Sequence, residues 1–218
     1  MDIKQNYIEK GQGEPLIMLH GNGEDCTYFK RQMDDFSKHF RTISLESRGH
    51  GDTPYGEKPF SLFQFADDLK DFMNENDIPK AHILGFSDGG NVALIFAMRY
   101  PEMVDKLIID GANLNLDGLK KYFVLSVKLR YRFSKNDKVL KLLDLMLKEP
   151  DLSFADIKCI TAKTLVMAGT NDLIKLSHTK KIAQAIPDSR LCILKGPHSL
   201  AAVKPREFNK AVLDYLLE

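Results

Sequence analysis

The chain has 218 residues, 44% of them hydrophobic and 28% charged, with 31 Lys and Arg against 30 Asp and Glu. Those proportions describe one globular domain with a sizeable core, and a net charge of +1 gives no electrostatic reason to expect nucleic acid as a partner. No apolar run approaches the roughly 18 residues of a membrane span. The first ten residues, M-D-I-K-Q-N-Y-I-E-K, contain no apolar signal region. The three scattered cysteines, Cys26, Cys159 and Cys192, have neither metal-ligand spacing nor the even number of a disulfide framework. The expectation is a cytoplasmic protein with no stable membrane insertion and no metal site.

Residues 3–10 alternate weakly and end at Gly11-Gln12-Gly13, which predicts a short strand or hairpin and a turn. Pro15–Leu19 reads as a buried strand and delivers His20-Gly21-Asn22-Gly23. Helical spacing runs from about Tyr28 to Phe40. Thr42–Leu45 is a second buried-type strand, followed by Glu46-Ser47-Arg48-Gly49-His50-Gly51-Asp52. Ser61 begins a helix with Leu62, Phe65, Leu69 and Phe72 on one stripe and Asp67, Asp68, Lys70 and Asp71 outside. Ala81–Leu84 is a strand, a helix runs from Asn91 to about Tyr100-Pro101, and Val104–Ile109 is a strand again. The rhythm resumes with strand Thr164–Ala168, helix His178–Ile186, strand Arg190–Leu194 and a last helix from Pro205 to Leu217. Strands alternating with helices imply an α/β fold, a doubly wound and mostly parallel sheet with helices on both faces.

Between Gly111 and Thr164 the alternation breaks. Two amphipathic segments, Leu119–Phe133 and Val139–Lys148, carry helical spacing and no strand signal. The expected organisation is a core domain of residues 1–112 and 154–218, interrupted at 113–153 by a small helical cap over the C-terminal strand ends. The cap's apolar residues, Leu119, Phe123, Leu125, Leu129, Leu142, Leu145 and Met146, are expected to be buried over the pocket, with Phe123 facing it. The same segment carries nine Lys or Arg against five Asp or Glu. That surplus reads as solvated outer helix faces or as attraction to an acidic substrate or a membrane interface.

The stretch with chemistry in it is Gly85-Phe86-Ser87-Asp88-Gly89. A G-x-S-x-G sequence between a strand and a helix is the requirement of a nucleophile elbow. The serine sits in a strained turn, and the residues two positions away on each side press too close to the backbone for a Cβ. Ser87 needs a base and an orienting acid to attack at neutral pH. Of the six histidines, His198 lies in a loop between the last strand and the last helix, at the same sheet edge as Ser87. Two acids end neighbouring strands, Asp172 and Asp110. Asp172 ranks first because Ser…Asp…His is the chain order of G-x-S-x-G hydrolases.

Taken in order, His20-Gly21-Asn22-Gly23, Arg48-Gly49-His50-Gly51, the Gly85–Gly89 elbow, Gly169-Thr170-Asn171-Asp172 and His198 resemble a serine-nucleophile, esterase- or lipase-like member of the α/β-hydrolase fold superfamily over almost the whole chain. The resemblance implies a triad of Ser87, Asp172 and His198, with an oxyanion hole formed by the backbone N–H groups of Asn22 and Asp88. It implies a cofactor-free reaction on a small molecule with an acyl group. An ester, thioester or activated amide would be cleaved through an acyl-Ser87 intermediate, most simply by a carboxylesterase of small or medium acyl chains. Carbon–carbon bond hydrolases, cofactor-free perhydrolases and acyltransferases use the same apparatus, and a non-catalytic ligand-binding or interaction protein could keep the fold. Three departures stand out: Glu46 where an Asp commonly precedes the Arg-Gly loop, Pro197 before His198, and the reduced length of the N-terminal hairpin and the cap. The Asp88 side chain, next to the nucleophile, reads either as a scaffold and helix-capping group or as a contact for a substrate amine.

Overall fold

Period-two burial on both faces explains why the strands of this chain read as continuous apolar runs. In the computed structural model, which describes residues 2–218, seven strands form one sheet in the order β1-β3-β2-β4-β5-β6-β7. They are β1 (Tyr7–Lys10), β2 (Pro15–Leu19), β3 (Arg41–Leu45), β4 (Ala81–Phe86), β5 (Val104–Asp110), β6 (Lys163–Asn171) and β7 (Ser189–Pro197). Ile17, Ile43, Ile83, Leu107 and Val166 point to one face, and Leu16, Met18, Leu84, Ile108 and Leu165 to the other. On the first face lie α2 (Leu62–Glu75), α3 (Asp88–Arg99) and α6 (Leu176–Ala185); on the second lie α1 (Lys30–Phe36), the short α7 (Leu200–Val203) and α8 (Pro205–Leu216). All pairings are parallel except β1 with β3, which is antiparallel.

Several boundaries differ from the sequence expectation. Of the short strand or hairpin expected over residues 3–10, the structure has the strand, confined to Tyr7–Lys10 at the edge beside β3. The helix expected over residues 28–40 is regular only over Lys30–Phe36. β6 and β7 run past their apolar centres to Asn171 and Pro197, because the ladder continues where burial ends. Asp68, expected on the solvent side of α2, is 3% exposed. Both of its oxygens take hydrogen bonds from the fully buried Arg48, Nε at 2.8 Å and Nη2 at 2.7 Å. That bidentate pair, with Asp2 as a further partner of Arg48, ties the Arg-Gly-His-Gly loop to α2. Glu46 secures the same loop from its other end, accepting from the Asp52 N–H at 2.9 Å and from the Thr53 N–H and hydroxyl at 3.2 Å each. The departure at Glu46 is therefore structural.

Residues 113–153 hold two helices, α4 (Lys121–Phe133) and α5 (Asp137–Lys148). The segment is closed at its base by the Leu152 N–H bonding the Leu114 carbonyl at 2.8 Å. It is tied to the loop after β6 by the Lys120 N–H on the Leu173 carbonyl at 3.0 Å, and to α2 by the Glu149 carboxylate accepting the Leu62 N–H at 2.6 Å. α5 is amphipathic in the expected way: Leu143 and Leu145 are buried, and Leu145 joins the main core. α4 is not. Val127 is its one buried residue, and Leu125 and Leu129, expected under cover, are 58% and 49% exposed.

Candidate active site

The elbow forms where β4 turns into α3. Ser87 has φ +53°, one of two positive values among the described non-glycine residues, a conformation that costs about 1–3 kcal/mol and persists only where its surroundings enforce it. Enforcement is visible on both sides. A Cβ on Gly85 would lie 2.2 Å from the Gly89 carbonyl oxygen, and one on Gly89 would lie 2.1 Å from the Leu19 carbonyl oxygen. The Ser87 N–H donates to the Asp110 carbonyl at 2.8 Å, and its carbonyl accepts the Asn91 N–H at 3.0 Å.

His198, directly after β7, reaches back to this turn. Its Nε2 lies 3.0 Å from Ser87 Oγ and its Nδ1 lies 2.6 Å from Asp172 Oδ1. Gly111 makes room for the ring: at φ +66° it passes so close that a Cβ there would sit 2.6 Å from His198 Cε1. Phe86 packs on the imidazole at a centroid distance of 4.9 Å, and Tyr28 stacks on Phe86 at 4.6 Å. Asp172 is fully buried. Burial by itself would raise its carboxyl, but the His198 hydrogen bond and charge, with the Ile174 N–H at 2.9 Å and the Gly169 N–H at 3.3 Å, hold it below the ordinary value. The acid is thus anchored by two backbone amides, one on each oxygen, while Oδ1 also faces the imidazole.

Asp110, the rival acid, is also fully buried, but neither of its carboxyl oxygens has a hydrogen-bond partner. Burial, together with the Asp172 charge, pushes its carboxyl well above the usual range, the opposite of the shift at Asp172. Two other histidines, His20 and His178, are engaged elsewhere. His20 bonds the Gly21 carbonyl through Nδ1 at 2.8 Å and accepts the Ser47 N–H at 3.1 Å, bracing two loops; burial and the neighbouring His50 bring it down to about 4. His178 accepts the Leu114 N–H at 3.1 Å.

Of the two residues whose backbone amides are expected to hold an oxyanion, Asn22 lines the same cavity as Ser87 and Asp88 follows it in the chain. Asp88 is the first residue of α3, where an N–H has no intrahelical acceptor. Among the described residues the Asn22 N–H donates to no other group. Their side chains are joined: Asn22 Nδ2 donates to Asp88 Oδ2 at 2.8 Å and also contacts the Leu142 carbonyl of α5 at 3.1 Å. Asp88 is therefore engaged within the scaffold, the first of its two sequence readings. Burial pushes its carboxyl up to about 6, against the pull of the Asn22 bond and the His198 charge.

Above these groups opens a cavity of about 430 Å³. Ser87, His198, Asn22 and Glu24 form its polar side; Phe123 of α4 and Val139, Leu142 and Met146 of α5 form its apolar side. Phe123 thus faces the cavity as the sequence suggested. Glu24 was not singled out by sequence reasoning, because an acid in a Gly-rich loop gives no signal of its own. Its Oε2 accepts the Gly21 N–H at 3.0 Å, and burial raises it to about 7, offset in part by that bond and by His198.

A family model described as the alpha/beta hydrolase fold matches residues 14–127, just over half the chain. The chain belongs to the α/β-hydrolase fold family. As a member it is a hydrolase of the serine-nucleophile type. It is similar to the 2-hydroxy-6-oxo-6-phenylhexa-2,4-dienoate hydrolase of Comamonas testosteroni, 28% identical over 99% of this chain and 92% of that protein. That alignment runs to 263 positions against 218 residues, so the relative has segments with no counterpart here. Among solved structures, the enol-lactonase of Burkholderia xenovorans LB400 superposes with a TM-score of 0.87 at 20% identity, covering 99% of this chain and 97% of that one. A thermophilic esterase of Thermogutta terrifontis superposes at 0.79 with 21% identity, covering 98% and 93%. Likeness at such identities establishes the fold. No helix among the described residues is long and apolar enough to cross a membrane.

Proposed function

We propose that this hydrolase cleaves a small or medium carboxylic ester through an acyl-Ser87 intermediate. The observation that carries the reading is the imidazole of His198 held between Asp172 at 2.6 Å and the Ser87 hydroxyl at 3.0 Å. In the first half-reaction His198 Nε2 takes the hydroxyl proton as Ser87 Oγ bonds to the acyl carbon. Asp172 fixes the tautomer and offsets the imidazolium charge. The carbonyl oxygen, now an oxyanion, accepts from the Asn22 and Asp88 N–H groups, and each such donor is worth about 3–4 kcal/mol of barrier. His198 then protonates the leaving alcohol. Water, deprotonated by the same nitrogen, releases the acid and restores the serine.

Residues 113–153 serve as a cap in this proposal. The apolar wall contributed by Phe123, Val139, Leu142 and Met146 receives the acyl chain, and a cavity near the lower end of the usual range for small-ligand sites favours short chains. The test is a series of p-nitrophenyl esters of increasing acyl length, with turnover expected to peak at short to medium chains. Flat, negligible turnover across the series, alongside rapid cleavage of a vinylogous 1,5-diketone, would replace this reading with carbon–carbon bond hydrolysis. That second reading is favoured by the similarity to the Comamonas enzyme over nearly the full chain.

A further inference from the structure

The outer face of α4 is apolar, exposed and bordered by cations. At about 100° per residue, Phe123, Val124 and Val127 fall on the side of the helix turned to the protein, while Tyr122, Leu125, Leu129 and Phe133 fall on the opposite side. Those four are 61%, 58%, 49% and 73% exposed. Single exposed apolar side chains are ordinary, but four large ones spaced three, four and four residues apart make a continuous stripe along the helix. The rest of the surface positions on α4 are basic or neutral. Lys121, Lys128 and Arg132 border the stripe on one edge and Arg130 stands beyond the other, and α4 contains no Asp or Glu.

We propose that this face docks on an anionic lipid surface. An apolar stripe flanked by Lys and Arg is the composition of a helix that lies in a membrane interface, with apolar groups reaching the acyl boundary and cations meeting headgroup charge. Charge argues against a second copy of the chain as occupant. Two-fold pairing of this face would set its cation rows against themselves with no acid on the helix to neutralise them. The position adds a consequence. Arg130 also rims the cavity over Ser87, so a docked α4 holds the pocket mouth beside the lipid. Docking does not depend on the ester-hydrolase reading, since it rests on the outer face alone.

Flotation with vesicles of phosphatidylcholine doped with phosphatidylglycerol tests it. The protein is expected to float with the doped vesicles, to stay behind with phosphatidylcholine alone, and to be released by high salt. Leu125→Gln with Leu129→Gln should abolish flotation. Lys128→Gln with Arg132→Gln should weaken it by about fivefold per cation removed. None of these four residues lines the cavity, so turnover of a soluble ester without vesicles should stay unchanged in both variants, which also shows that they are folded. Absence of flotation by the folded parent at low salt overturns the proposal. So does a dimer in sedimentation equilibrium that Leu125→Gln with Leu129→Gln dissociates, because the occupant is then a second copy.

Discussion

The sheet with its flanking helices and the 113–153 insertion solve the burial problem in different ways. A strand in the middle of a doubly covered sheet has no solvent face, so Ile17 and Met18, or Ile83 and Leu84, are buried alike on opposite sides. The insertion has one sheltered side only. α5 buries Leu143 and Leu145 against it, whereas α4 leaves Tyr122, Leu125, Leu129, Tyr131 and Phe133 in solvent. The framework carries Ser87, Asp172 and His198 at strand ends, and the insertion supplies the apolar wall of the cavity above them. An apolar run in a strand therefore tells both that it is covered and by what. An apolar helical stripe tells only that a surface exists.

If that division holds, substitutions in the framework should remove activity regardless of substrate. His198→Ala and Asp172→Asn are each expected to lower kcat for p-nitrophenyl esters by about 10⁴-fold, the latter because the imidazole loses its tautomer and orientation. Steady-state kinetics on variants with unchanged melting curves provide the check, and a mild loss in Asp172→Asn would return Asp110 to consideration as the acid.

The next effect separates the regions by stability. Ile83→Ala, in the doubly buried strand, should cost about 2–5 kcal/mol in denaturant unfolding. Leu129→Ala, on the outer face of α4, should stay within about 0.5 kcal/mol of the parent. Phe123→Ser should shift acyl-length preference with little change in melting temperature. Comparable losses at positions 83 and 129 would mean that α4 is core.

Asp110 gives a pH-dependent contrast inside the framework. Its folded-state carboxyl is raised, so its contribution to stability is fully present below the unfolded pKa of about 4 and is lost as pH rises toward the folded value. Asp110→Asn removes that loss. The variant should gain on the parent in urea unfolding as pH rises above the unfolded value of about 4. Glu24, less buried, should show the smaller version. Raised to about 7, it costs stability as pH climbs toward that value, and Glu24→Gln, which keeps an acceptor for the Gly21 N–H, should flatten the curve there.

Much of the framework was readable from its residues. The alternation of strands and helices gave the layer order, and the steric demand at Gly85 and Gly89 identified the turn that lifts Ser87. Chain order pointed to Asp172 and His198, and the distances place both with Ser87. What stayed hidden depends on neighbours remote in sequence. The pairing of Asp68 with Arg48, the Asn22–Asp88 bond and the exposure of Glu24 to the cavity are set by loops that meet only in the folded chain. Leu125 and Leu129 of the α4 stripe carry the same helical spacing as a buried face, because composition cannot distinguish a surface covered by its own protein from one left open.

The central claim is that Ser87 is the nucleophile activated by His198. Its most direct test is treatment with a fluorophosphonate, followed by mass spectrometry of the digested protein. The account predicts a single adduct on the peptide containing Ser87, lost in Ser87→Ala and strongly slowed in His198→Ala. An adduct on another residue, or an enzyme that still turns over p-nitrophenyl esters after Ser87→Ala without labelling, would contradict it.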